Sequence, residues 1–149
     1  IDNGLLDSST SIFSLFLEGS NRPTDQKLKD NVAGFLDTFG HGLFLKEEFK
    51  SAVIIHNKSI ELSPDNSSVA EHLTNKGKAF LKLGNVEGAK KDFELSLKLA
   101  IKESEPDLQA KILLSIANNN YNLGMTKDAL GQLRQLEELL HNLNFLVLL

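Results

Sequence analysis

The chain has 149 residues, 41% of them hydrophobic and 24% charged, a composition that suits one folded domain with a sizeable core and excludes disordered and fibrous classes. With 20 acidic against 16 basic residues the formal net charge is -4, and no basic stripe stands out, so the sequence does not point to nucleic acid as a partner. The absence of cysteine excludes disulfides, thiolate metal sites and a cysteine nucleophile, and it leaves the compartment open. The chain begins with Ile1 rather than Met, which reads as a fragment or a processed form. No basic n-region precedes an apolar stretch as a signal peptide requires.

Residues 1–30 are the least regular. Asp7-Ser8-Ser9-Thr10 offers caps for a short amphipathic helix carrying Ile12, Phe13, Phe16 and Leu17, which Gly19 to Pro23 would end. This helix is expected to cover the first of the units that follow. From Asn31 to Leu140 three stretches resemble one another. The first carries Leu36, Phe39-Gly40, Leu43, Phe49, Ala52, His56 and Ser59. The second carries Leu73, Lys76-Gly77, Phe80, Gly84, Ala89, Phe93 and Ser96. The third carries Leu113, Ile116-Ala117, Tyr121, Gly124, Ala129, Leu133 and Leu136. In each, Gly40, Gly77 or Ala117 precedes Ala52, Ala89 or Ala129 by the same offset. Small residues at a fixed offset suit two antiparallel helices that cross closely, with large apolar residues filling the interface around the crossing.

Turn chemistry agrees. Gly84 and Gly124 are placed to terminate a helix, with Asn85 or Thr126 able to cap the next one. Ser63 to Ser68 reads as a loop ending in cap candidates, and Pro106 falls near a first helical turn. The apolar end of the chain, Phe145 to Leu149, is too short for a membrane span and reads as the last turn of a packed helix.

These segments resemble tetratricopeptide repeats, helix-turn-helix units of roughly 34 residues. Aligning on Gly40, Gly77 and Ala117 gives units over 33–69, 70–109 and 110–140, flanked by an N-terminal segment (1–30) and a C-terminal end (141–149). The spacing exceeds that of the family, so long second helices or loops are expected, the second unit's running from Val86 to Ser104. The resemblance implies an all-α fold: a right-handed superhelix of about three helical hairpins with terminal capping helices.

Catalytic chemistry has no foothold. His41, His56, His72 and His141 show no ligand spacing such as HExxH, so neither a metal nor another cofactor is expected. His56 falls at an aromatic position of a second helix and reads as a core residue. Gly40-His41-Gly42 lacks the Lys-Ser/Thr tail and the preceding strand of a phosphate loop. Glu47-Glu48 and Glu137-Glu138 fall on expected solvated faces. The sequon Asn57-Lys58-Ser59 lies mid-helix, and Asn66-Ser67-Ser68 reads as equally incidental.

The resemblance also implies that the first helix of each unit lines a concave groove. By the helical period and the family's habit, the groove-facing positions are Asp37, Thr38, His41 and Phe44 in unit one. In unit two they are Thr74, Asn75, Lys78, Leu81 and Lys82. In unit three they are Lys111, Ser115, Asn118, Tyr121 and Asn122. Asn amides can bond both N–H and C=O of an extended peptide and Lys can reach a carboxylate, so the implied ligand is a partly acidic peptide or helix of another protein. The family's carboxylate clamp for chaperone tails is incomplete: Asn75 and Lys111 match it, whereas Asp37, His41 and Ser115 do not, and Asp37 would repel an acidic ligand. Self-association through the apolar terminal helices is the alternative role. Membrane insertion is not expected.

Overall fold

The computed structural model describes residues 26–64 and 68–147, with backbone only for 145–147. Among the described residues there are six helices and no strand: α1 (Gln26–Leu45), α2 (Phe49–Leu62), α3 (Val69–Lys82), α4 (Val86–Lys102), α5 (Pro106–Asn122) and α6 (Thr126–Val147). They pair in sequence as α1 with α2, α3 with α4 and α5 with α6, so the all-α class of paired helices expected from the sequence is the one found. None of the described helices is long and apolar enough to cross a membrane. The predicted capping helix of residues 7–23 lies outside the described residues. Gln26 to Asp30, read from sequence as part of the irregular segment, is already helical in α1.

The chain divides into two compact units, Ile1–Asn66 and Ser67–Leu149. In the first, Ala33, Leu36, Ile55 and Leu62 form the core between α1 and α2, with Val32 and Leu43 against it. In the second, α5 packs on both α3 and α4, and one cluster joins Ala70, Leu81, Ala89, Phe93 and Ala100 to Ile112 and Ile116.

The long repeat spacing has two sources. In the second unit α4 stops at Lys102, two residues short of the expected Ser104, and α5 starts a full turn before Ala110, at Pro106. Proline there costs no hydrogen bond, because the first helical N–H has no intrahelical partner. In the first repeat, α2 is only 14 residues, and the extra length falls in residues 63–68. Every described helix-helix turn closes the same way. Asn85 N–H donates to Phe80 O at 2.9 Å and Gly84 N–H to Leu81 O at 3.0 Å, and the turns after α1, α4 and α5 repeat this pair of bonds. The motif needs one residue with positive φ. Gly84 (77°) and Gly124 (76°) supply it as expected, but Glu47 (63°) and Ser104 (56°) supply it elsewhere, with no glycine to signal the turn. Asn85 caps α4 by accepting from Gly88 N–H at 2.9 Å. Thr126 is not a cap. It is the first residue of α6, so Met125 takes the capping place.

The fixed Gly/Ala offset marks close helix contact by a different pairing from the one the sequence suggested. A Cβ at Gly77 would stand 2.7 Å from Phe93 Cε1, and one at Gly40 would stand 2.8 Å from His56 Cε1. Each glycine thus makes room for a ring on the second helix, not for the alanine it precedes. His56 and Phe93 occupy equivalent places, and both are buried.

Candidate interaction surface

In the first unit, α1 carries Asp37, Thr38, His41 and Phe44. Asp37 is spent inside the hairpin: its Oδ1 lies 2.7 Å from Nδ1 of the fully buried His56, leaving the carboxylate only 17% exposed. A residue expected on a ligand-facing surface instead partners a core side chain that would otherwise be stranded. Thr38 is exposed and bonds back to Gly34 O at 3.1 Å. His41 is exposed and stacks on the half-buried Phe44 at 6.4 Å between ring centroids. Phe44 meets Phe49 edge-on at 5.4 Å, which ties it to the start of α2.

In the second unit the expected residues divide into two sets. Asn75, Lys78 and Lys82 recur at three- and four-residue spacing and so share one face of α3. Lys111, Ser115, Asn118 and Asn122 do the same on α5, which packs beside α3. Lys82, Lys111, Asn118 and Asn122 are exposed, and Asn75, Lys78 and Ser115 are half-buried. Thr74 and Leu81 are not on this face. Each stands about a quarter-turn from the middle of that face, on the side of Lys78, and both are buried. Thr74 meets Ser96 Oγ at 2.6 Å and Leu81 joins the core cluster. Tyr121, at the same repeat position as Leu81, is 68% exposed. It is turned the same way, but no later described helix covers it.

A groove of 310 Å³ lies elsewhere in this unit. Its floor is Leu81, Phe93, Leu97, Leu113 and Ile116, and its rim includes Lys90, Glu94 and Asp128. Of the residues predicted from sequence, it includes only Leu81. A second hollow of 450 Å³ near the starts of α3 and α5 is lined by Glu71, Glu105 and Asp107 together with Lys111.

Two polar devices went unread in the sequence. Ser59 Oγ donates to Ala33 O at 2.7 Å, and Ser96 Oγ donates to Ala70 O at 2.5 Å. Both serines are fully buried and both repeats use the same bond, which latches the second helix to the start of the first. The repeated Ser was visible as part of the pattern, and Leu136 in its place leaves the third repeat without the bond. The other is Lys76, whose Nζ lies 3.2 Å from Asp92 Oδ1 and 5.9 Å from the centroid of the Phe80 ring. Burial pushes the Asp92 carboxyl above its ordinary value, and the charge and hydrogen bond of Lys76 pull it partly back. Among the described residues no group of three or more His, Asp or Glu is placed to hold a metal ion.

Residues 70–100, which span α3 and most of α4, match the family model of the tetratricopeptide repeat. This match and the six paired helices together support a tetratricopeptide-like repeat domain. No curated protein matches it. The family match falls on the repeat where the glycine-to-ring contact, the Ser-to-carbonyl latch and the capped glycine turn all occur together. Tetratricopeptide repeats are protein-interaction modules, and the hairpins before and after this repeat in sequence close with the same turn bonds.

Proposed function

We propose that this domain is a non-enzymatic adaptor that holds a partly acidic segment of a partner protein along the shared face of α3 and α5. The observation that supports this reading is the recurrence of Lys78 and Lys82 along one face of α3 and of Lys111, Asn118 and Asn122 along one face of α5, two helices that pack beside each other, in a chain whose net charge is -4. Amide side chains offer a donor and an acceptor to the backbone of an extended peptide, and the lysines favour carboxylates and speed encounter. The face of α1 contributes less, since Asp37 is engaged by His56. The chaperone-tail clamp loses support for the same reason.

The test is affinity capture from native extract with the domain as bait, compared with Lys111→Ala/Asn118→Ala/Asn122→Ala. A partner retained at least about tenfold less by the variant, equivalent to roughly 1.4 kcal/mol, and released by raised salt supports the reading. Equal retention by both proteins removes this face from consideration.

A further inference from the structure

The internal repeat identifies which surfaces one hairpin uses to pack on the next. In the second unit α5 presents Ile112 and Ile116 (1% and 8% exposed) to a surface that includes Leu81, Phe93 and Ala100 (4%, 4% and 1% exposed), and all five share one core cluster. Ile112 and Ile116 are the insert and the other three are its seat.

Superposing the repeats on Gly40, Gly77 and Ala117, and on Ala52, Ala89 and Ala129, transfers the insert to the first hairpin and the seat to the last. The insert positions fall in α1 on Phe35 and Phe39, which are 68% and 49% exposed. The seat positions fall on Tyr121, Leu133 and Leu140 in the last hairpin, which are 68%, 44% and 50% exposed. Among the described residues, large apolar side chains therefore stand uncovered at both halves of one interface, where solvent alone would favour polar residues. Leu28 extends the α1 stripe and is also half exposed.

We propose that a second copy of this chain covers the seat: Phe35 and Phe39 of one protomer insert against Tyr121, Leu133 and Leu140 of another, as Ile112 and Ile116 do against Leu81, Phe93 and Ala100 within the second unit. Charge supports the same orientation. Glu105 N–H and Gln109 Nε2 both donate to Ala100 O, so the start of α5 lies beside the later part of α4. The equivalent arrangement brings the start of α1, with exposed Lys27, to the part of α6 around Leu140 that carries exposed Glu137 and Glu138. The contact is heterologous, so each added protomer leaves one insert and one seat open. It does not depend on the polar face of α3 and α5.

Sedimentation of the 149-residue chain over a wide concentration range tests this. The average mass rises past that of a dimer without a plateau. Phe35→Ser/Phe39→Ser and Leu133→Ser/Leu140→Ser are each monomeric, and each retains the helical circular dichroism of the parent because the changed side chains are exposed. Mixed one to one, the two variants form a complex of twice the monomer mass and go no further, since one intact insert meets one intact seat. A parent chain that stays monomeric throughout overturns the proposal. So does a dimer that the mixture fails to restore, which indicates a two-fold contact, and so does association that survives both pairs of substitutions.

Discussion

Replacing Gly77 with alanine isolates the close approach that defines the repeat. An added Cβ would lie 2.7, 3.0 and 3.1 Å from Cε1, Cδ1 and Cζ of Phe93. Carbon atoms prefer about 3.5–4.0 Å, so the ring must retreat by roughly half an ångström or more. It has little room, because Phe93 is 4% exposed and wedged in the cluster with Leu81 and Ile112. Overpacking of this kind costs about 1–3 kcal/mol, against about 1 kcal/mol gained by alanine over glycine in a helix. The expected net effect is a loss of about 0–2 kcal/mol. Gly131 is the internal control: it lies within α6 of the same unit, and a Cβ there meets nothing within 4 Å. Gly131→Ala should therefore keep the whole gain of about 1 kcal/mol. Urea unfolding followed by circular dichroism reads the difference between the two variants, expected at about 1–3 kcal/mol. Adding Phe93→Leu to Gly77→Ala should restore part of the loss. If Gly77→Ala proves as stable as Gly131→Ala, the reasoning from ring contact fails.

Two further predictions concern a turn and a buried charge. Ser104→Gly, and likewise Glu47→Gly, should stabilise the domain by about 0.5–1 kcal/mol, because glycine removes the strain of a side chain held at positive φ in turns that otherwise keep their bonds. A lowered urea midpoint in both variants would count against a left-handed residue at these turns. The Asp92 carboxyl should titrate above its ordinary 3.8 when followed by carboxyl-carbon NMR, and Lys76→Met should raise it further by removing the attraction that opposes desolvation. With the native value raised, the folded state holds a proton that the unfolded chain has released. Asp92's contribution to stability therefore falls as pH climbs from about 3.8 through the raised value, and is level above it. An Asp92 value that drops in Lys76→Met would refute the assigned balance.

The helices themselves were legible because their signals are local. Apolar spacing, Gly84 and Gly124 at turns, Asn85 as a cap and Pro106 in a first turn each act within a few residues, whatever the chain does elsewhere. The same locality explains the misses. Nothing in the residues around Glu47 or Ser104 announces a left-handed turn, and the closing bonds come from backbone that any sequence possesses.

The sequence by itself determined that the chain is a run of paired helices, with glycines where a second helix comes close. Those properties follow from backbone propensity and from the period of the apolar side chains. Only the tertiary structure decided which polar residues remain available to a partner. Thr74 and Leu81 lie only about 40° and 60° round α3 from Lys78 and yet are buried, while Tyr121 at the place equivalent to Leu81 is left open. Asp37 is taken by His56 from 19 residues away. Helical spacing assigns a residue to a face, but whether that face meets solvent, a ring or another helix is set by neighbours distant in the chain, which no local pattern encodes.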